Sequence, residues 1–162
     1  MKDVNLLEKK GITLIALAIT IVVILILAGV TISYVFSDGG LIDKAKEASK
    51  TSYSPFSKFA VGAAVLAKSG AVYTGCNVEN SSFGLTICAE RCAIFKAISE
   101  GEREILAVAI FSPNEDDCFP CGACRQVMYE FQGENEIEII TDNNSNLNIR
   151  KMSDFLPFGF KI

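Results

Sequence analysis

The chain opens with a long apolar segment. From Gly11 to Ser37 no residue is charged. This stretch is longer than the about 20 consecutive apolar residues that suffice to cross the hydrocarbon core of a bilayer. A soluble helix that is apolar on every face must be buried on every face, and a domain of this size has no room for one. The pattern therefore predicts an N-terminal transmembrane helix that associates the chain with a membrane through residues 11–37.

Beyond this segment, shorter apolar runs alternate with polar turns. Asp38-Gly39-Gly40 is typical of a linker, which predicts an N-terminal segment over 1–40 and a domain over 41–162. Periodicity and turn residues predict helices over 41–52, 88–99 and 121–131, and strands over 59–67, 72–77, 105–111, 136–141 and 147–150. This order predicts an α/β fold, an α/β/α sandwich in which helices cover a mixed five-stranded sheet.

Composition narrows the chemistry. The formal net charge is −4, which argues against a nucleic-acid surface because such a surface needs clustered Lys and Arg. The chain contains no histidine, so imidazole can be neither a metal ligand nor a general base. Six cysteines could form disulfides, but Cys121 and Cys124 form a C-x-x-C pair and Cys118 lies three positions earlier. This spacing favours reduced, metal-binding thiolates and a reducing compartment, so the chemistry is expected to be cytoplasmic.

Two short cysteine stretches carry the candidate chemistry. Cys88-Ala89-Glu90-Arg91 and Pro120-Cys121-Gly122-Ala123-Cys124-Arg125-Gln126 together supply three thiolates and one carboxylate. A Zn²⁺ ion with three protein ligands keeps one coordination position open, as catalytic zinc sites do. Glu90 would then be free to move protons, in the pattern of zinc nucleobase deaminases.

The remaining cysteines leave alternatives open. Cys92 is one helical turn from Cys88, and Cys118 forms its own C-x-x-C with Cys121, so either could close a four-cysteine structural site. Small buried hydrophobic side chains are the other interpretation, above all of Cys76 and Cys92.

Four segments in order resemble one known family. They are Tyr53 to Phe59, Gly75 to Asn80, Cys88 to Arg91 and Pro120 to Gln126, and the resemblance runs from about Leu41 to Phe160. The chain resembles the small zinc-dependent cytidine deaminases of the all-cysteine, homotetrameric kind. The resemblance implies hydrolysis of cytidine and deoxycytidine to uridine and deoxyuridine with release of ammonia. It also implies one Zn²⁺ per chain and a homotetramer formed through this domain.

The resemblance also implies a role for individual residues. Cys88, Cys121 and Cys124 would bind zinc, and Glu90 would shuttle protons. The substrate contacts would come from the Phe59 ring and the Ala89 backbone at the base, from Asn77 and Glu79 at the ribose hydroxyls, and from Phe160 of a neighbouring subunit. Arg91 and Gln126 would lie next to the zinc ligands and stabilise them without binding the ion.

The N-terminus carries a second resemblance. Lys9-Lys10-Gly11 followed by Ile12-Thr13-Leu14-Ile15 is similar to the leader of a type IV pilin-like segment, although Ala16 stands where that class has a glutamate. A plain signal anchor fits equally well. The positive-inside rule keeps the preceding lysines in the cytoplasm and places the following domain outside, in conflict with thiolate chemistry, so sidedness stays open.

Two other functions remain as alternatives. One is deamination of a different cytosine-containing small molecule, of the nucleoside-antibiotic type. The other is a non-catalytic pilin-like membrane protein that uses the deaminase fold structurally, against which the presence of Glu90 argues, because a structural zinc site does not need it.

Overall fold

The computed structural model describes residues 16–24 and 38–162. Residues 16–24 belong to a helix, α1, whose described side chains are exposed. Within the described ranges, no helix has both the length and the apolar character needed to cross a bilayer. The rest of the predicted span 11–37, and the pilin-like leader before Ala16, lie outside the described residues.

Residues 38–162 form a compact unit of their own. Its helices are α2 (Asp38–Ser49), α3 (Ala89–Ser99), α4 (Gly122–Glu130) and α5 (Met152–Phe155), with a 3-10 turn at Phe83–Leu85. Its strands are β1 (Gly62–Ala67), β2 (Val72–Cys76), β3 (Ile105–Phe111), β4 (Glu138–Asn143) and β5 (Asn146–Lys151).

The five strands form one mixed sheet in the order β2-β1-β3-β4-β5. β3 and β4 pair in parallel, and the other neighbours pair antiparallel. Parallel neighbours need a crossover connection, and here the crossover contains α4. The predicted α/β fold with a mixed five-stranded sheet is confirmed.

Both faces of the sheet are covered by helices. All six residues of β1 are buried, and successive side chains of a strand point to opposite faces. Ala63, Val65 and Ala67 pack in the larger core with residues of α3 and α4. Ala64 and Leu66 pack in a second core with the α2 residues Leu41, Ile42 and Ala45. The result is three layers, with α2 on one side of the sheet and the two helices that begin with the cysteine stretches on the other.

Two sequence-based boundaries were wrong. Asp38-Gly39-Gly40 is part of α2 rather than a linker, because a helix whose apolar face packs on a sheet tolerates glycine at a cost of only about 1 kcal/mol per residue. The strand expected over 59–67 begins only at Gly62, since most of the backbone groups just before it form hydrogen bonds with side chains instead of with a neighbouring strand. The short helix α5 was not predicted.

Gly75 lets β2 approach α3 closely. A Cβ atom added there would lie 2.6 Å from the backbone nitrogen of Ala93 and 2.8 Å from the carbonyl oxygen of Ala89. We expect Gly75→Ala to destabilise the fold by about 1–3 kcal/mol, the usual cost of overpacking. The midpoint of urea unfolding measures the effect. Gly84→Ala is the matched control because a Cβ there meets nothing within 4 Å, and equal midpoints for the two variants would contradict the close approach.

Candidate metal and active site

The two cysteine stretches lie where loops enter helices. Cys88 is the N-cap residue of α3 and Cys121 is the N-cap residue of α4, both with extended backbone. Cys124 follows in the first turn of α4 and is fully buried. The unpaired N–H groups and positive dipole ends of two helices therefore lie close to the sulfur atoms, where they favour thiolates.

The three predicted ligands come together. The Sγ atoms of Cys88 and Cys121 are 3.8 Å apart, those of Cys121 and Cys124 are 3.4 Å apart, and all three lie within 4.8 Å of one another. Three converging cysteine sulfurs are a donor set that zinc prefers, and three protein ligands leave one coordination position for water or substrate. The residues present fit a zinc ion.

Arg91 supports the cluster from the same helix. Its Nη2 donates a hydrogen bond to Cys88 Sγ at 3.2 Å. Hydrogen bonds from Cys124 and from Arg91 lower the pKa of Cys88 to about 5, so this sulfur is a thiolate at neutral pH. Arg91 thus contacts a predicted ligand, and its positive charge would offset the excess negative charge of three thiolates around a zinc ion.

The other cysteines stand apart from this cluster. Burial raises the pKa of Cys92, and it raises the pKa of Cys118 to about 12. The pKa of Cys124 is raised as well, by its hydrogen bond to Cys88 and by burial, so the position of the sulfur atoms and not their protonation separates the two groups. Cys118 is buried, whereas Cys76 and Cys92 are half-buried. Among the described residues, the cysteine cluster whose sulfur atoms lie within 4.8 Å of one another consists of Cys88, Cys121 and Cys124, and this geometry disfavours the closed four-cysteine alternative.

Glu90 lies beside the thiolates and away from solvent. Its exposed fraction is 4%, and burial, aided by the negative charge of Cys88, raises its pKa to about 7. A carboxyl group with a pKa near neutrality can both take and return a proton at the operating pH. This is the behaviour expected of a general acid–base group rather than of a helix-start residue facing water.

Glu90, Cys88 and Cys121 line a cleft of about 230 Å³. The cleft also contains Phe59, Asn77 and Ala89, three of the residues predicted to contact substrate. The sequence analysis missed five further lining residues: Val61, Thr86, Ile87, Cys118 and Phe119. Only Cys118 and Phe119 had a usable indication in the sequence, since they directly precede the second cysteine stretch.

The side chain of Asn77 forms hydrogen bonds with the segment that leads into β1. Its Oδ1 accepts the backbone N–H of Val61 at 2.8 Å and the Ser52 hydroxyl, and its Nδ2 donates to the carbonyl of Phe59 at 2.8 Å. The amide nitrogen has a second hydrogen available, so contact with a substrate hydroxyl stays a prediction.

Glu79 lines a neighbouring cleft of about 470 Å³ that also contains Thr86. Its carboxylate accepts the backbone N–H groups of Phe56 at 2.8 Å and of Ser57 at 3.2 Å. The hydrogen-bond donors of Ser57 and Phe56 lower the pKa of Glu79, so it is ionised at neutral pH and keeps acceptor capacity for a hydroxyl group.

A hydrogen bond connects the Gln126 side chain to the backbone of Phe160. Gln126 Nε2 donates to the carbonyl oxygen of Phe160 at 3.0 Å, which fixes the C-terminal segment to α4. The Phe160 ring is 66% exposed and is not among the residues lining the cleft of its own chain. Its predicted role in a neighbouring subunit stays a prediction.

A mixed five-stranded sheet between helices, with a three-thiolate site and a buried carboxylate at two helix N-termini, defines the class of zinc-binding deaminases. Comparison with known families agrees. The model of the cytidine and deoxycytidylate deaminase zinc-binding region matches residues 37–139, which excludes most of the N-terminal segment. The chain belongs to this family.

Several similar relatives and solved structures are cytidine deaminases. The chain is 43% identical over 120 residues to a cytidine deaminase of Sporosarcina psychrophila, covering 74% of this chain and 88% of the relative. It is 44% identical over 117 residues to a cytidine deaminase of Mycobacterium tuberculosis, covering 72% and 84%. The crystal structure of a cytidine deaminase from Burkholderia pseudomallei superposes with a TM-score of 0.70 at 42% identity, covering 75% of this chain and 98% of that structure.

Proposed function

We propose that this protein is a zinc-dependent cytidine deaminase, which converts cytidine or deoxycytidine and water to uridine or deoxyuridine and ammonia. The observation that carries the proposal is the buried carboxylate of Glu90 beside three converging thiolates in one cleft. The named relatives support the choice of a cytosine nucleoside as substrate.

Cys88, Cys121 and Cys124 would hold one Zn²⁺ ion per chain. When bound, the ion supplies a Lewis acid that makes a water molecule in the cleft more acidic. Arg91 balances the charge of the thiolate set through its hydrogen bond to Cys88, which favours this acidification.

Glu90 moves the protons. Its carboxylate accepts one proton from the attacking water and delivers it to N3 of the pyrimidine as the C4–O bond forms. It then accepts the second proton from the new hydroxyl group on C4 and delivers it to the departing amino group. The C4–N bond breaks, ammonia leaves and the C4 carbonyl of uridine remains, so both protons of the water end on the products and the carboxylate is regenerated. A group with a pKa near 7 suits both directions of transfer.

The other lining residues orient the nucleoside. The Phe59 ring packs against the base, and the backbone of Ala89 bonds to the pyrimidine carbonyl. Asn77 and the ionised Glu79 hold the ribose hydroxyls where the two clefts meet near Thr86. Gln126 acts indirectly, since it fixes the C-terminal segment that carries Phe160.

The test is turnover and metal content in one sample. Purified protein with about one zinc per chain, the number expected for a single catalytic site, should release equal amounts of uridine and ammonia from cytidine. Turnover of a different cytosine compound but not of cytidine would support the alternative substrate class. Bound zinc without turnover of any cytosine compound would overturn the proposal in favour of a structural protein.

We also infer a homotetramer formed by residues 38–162. The support is a set of exposed apolar side chains clustered in sequence around the second cleft: Tyr53, Phe56, Val78, Phe83 and Leu85. The rings of Phe56 and Phe83 meet at 5.7 Å. A subunit docked there would cover them and could bring its Phe160 to the cleft. Light scattering of residues 38–162 should give four times the chain mass, and a monomer at micromolar concentration would contradict the assembly.

We further propose that residues 11–37 attach the chain to a membrane. The support is the absence of charge over this stretch and the exposure of the apolar α1 side chains Leu17, Ile19, Val22 and Ile24. After cell lysis the full chain should sediment with membranes and be released by detergent, whereas residues 38–162 should remain in the supernatant. If the full chain and residues 38–162 divided equally between the membrane pellet and the supernatant, neither a pilin-like anchor nor a signal anchor would be present.

A further inference from the structure

We propose that Ser112 and Asn114 are positioning residues that hold the Phe59 side of the cleft in place. Neither lies in the four segments that resemble the family, and neither lines the cleft. The inference rests on the proposed function, because its main effect is on the binding of a cytosine nucleoside.

The segment from Phe59 to Val61 is held by side chains. The backbone N–H of Ala60 donates to Asn114 Oδ1 at 2.9 Å, and the hydroxyl of Ser112 donates to the carbonyl of Ala60 at 2.8 Å. On either side of Ala60, the amide of Asn77 bonds to the Phe59 carbonyl and the Val61 N–H. Three side chains thus take the place of most of the strand ladder where Phe59 and Val61 enter the cleft, and one backbone bond remains, from the Asn77 N–H to the Val61 carbonyl at 3.1 Å.

Ser112 and Asn114 are also fixed to each other. Ser112 is 5% exposed, and its hydroxyl oxygen accepts the backbone N–H of Asn114 at 3.1 Å. The hydroxyl therefore donates to Ala60 and accepts from Asn114 at once, which leaves it little freedom to turn. Both bonds to Ala60 come from one rigid corner at the end of β3.

The same loop, residues 112–120, contributes Cys118 and Phe119 to the lining of the cleft. Asp117 anchors this loop with a left-handed backbone (φ 50°) and a backbone N–H that donates to the Asp142 carbonyl at 2.9 Å. Its carboxylate accepts from Thr141, Asn143 and Asn148 on β4 and β5. The loop is therefore fixed to the sheet and binds Ala60 from a fixed position.

A firm connection between this loop and Ala60 sets where Phe59 lies relative to Cys121. Without Asn114 Oδ1, the N–H of Ala60 has no protein partner at that place, and the segment that carries Phe59 can move. Phe59 offers an apolar surface to the base but no group for the proton transfers. Its displacement should weaken nucleoside binding and leave the chemical step nearly unchanged.

The test uses the full chain, purified in mild detergent and loaded with zinc. Asn114→Ala should raise KM for cytidine about ten-fold, the effect of one lost hydrogen bond to a partly buried partner, and leave kcat within about two-fold. Ser112→Ala should act in the same direction. Asn114→Asp should restore KM because it keeps an acceptor oxygen for Ala60. Asn146→Ala, which changes an exposed asparagine on β5, is the matched control and should leave KM unchanged.

A double-mutant cycle shows whether the effect passes through Phe59. In a Phe59→Leu background, Asn114→Ala should raise KM by much less than in the wild-type chain, since coupled residues give non-additive effects. Fully additive effects, or equal losses in KM and kcat with no rescue by Asn114→Asp, would overturn the positioning role.

Hydrogen exchange gives a readout independent of turnover. The amide of Ala60 should exchange faster in Asn114→Ala than in Asn114→Asp or Asn146→Ala. Faster exchange with an unchanged KM would overturn this inference alone. A wild-type chain that binds zinc and deaminates no cytidine would instead overturn the proposed function, and with it the expected effect on KM.

Discussion

Glu90→Gln is expected to lower kcat for cytidine by at least about 10²–10⁴-fold, the usual contribution of a general acid–base group. Glutamine has nearly the same shape and fits the same buried place, but it can neither accept a proton from water nor return one to N3 or to the amino group. The zinc content should stay at about one per chain, because the three thiolates that bind zinc are unchanged. Kinetics and metal analysis on the same preparation measure both quantities.

Glu100→Gln is the matched control, since Glu100 caps the C-terminal end of the same helix and is exposed. It should leave kcat and zinc content unchanged. Turnover by Glu90→Gln at the wild-type rate would remove Glu90 from the mechanism. Loss of zinc from Glu90→Gln would show instead that the carboxylate helps to hold the ion.

Cys121→Ala is expected to lose bound zinc and to lower the free energy of unfolding strongly. Zinc binding to thiolate-containing sites is worth about 10–16 kcal/mol in small zinc domains. Removing one of three ligands forfeits much of that binding energy and leaves Cys88 and Cys124 as close, uncompensated sulfur groups. Zinc content after dialysis against a chelator and the midpoint of thermal unfolding measure the two effects.

Cys118→Ala is the matched control, because Cys118 lies three residues before Cys121, just as Cys124 lies three residues after it. Its sulfur is not part of the cluster formed by Cys88, Cys121 and Cys124, so its removal should leave zinc bound. If the Cys121→Ala variant still bound a full equivalent of zinc, Cys118 and not Cys121 would be the ligand. Zinc loss from both variants would point to the four-cysteine site that the geometry disfavours.

Local patterns predicted the scaffold because each element depends mainly on its own residues. The apolar run Ile105–Phe111 appears as a strand with the predicted bounds, and both cysteine stretches open helices as expected. Asp38-Gly39-Gly40 was interpreted incorrectly because turn propensity ignores what a helix gains by packing on a sheet. The missing start of the first strand has a similar cause, since most hydrogen-bond partners of its backbone are side chains and not a neighbouring strand.

The three candidate zinc ligands could be predicted from cysteine spacing together with the resemblance to the cytidine deaminase family. Spacing alone could not decide which of the six cysteines are ligands. Cys118 is three residues from Cys121, as Cys124 is, and Cys92 is one helical turn from Cys88. That the sulfur atoms of Cys92 and Cys118 lie outside the three-cysteine cluster becomes apparent only when the helices are packed. The bonds from Ser112 and Asn114 to Ala60 join positions more than fifty residues apart, and no local pattern records such a contact.

The placement of the ligands on separate helices has a consequence for how the protein folds. Cys88 and Cys121 lie 33 residues apart in the chain, and α4 belongs to the crossover between the parallel strands β3 and β4. An unfolded chain can offer the C-x-x-C pair to a metal, but the third thiolate arrives only when α3 has docked beside α4. Tight zinc uptake therefore marks completion of the sheet and its helices. The rate of α3 docking beside α4 can be measured as the rate at which a zinc-loaded indicator dye loses its zinc to the refolding chain.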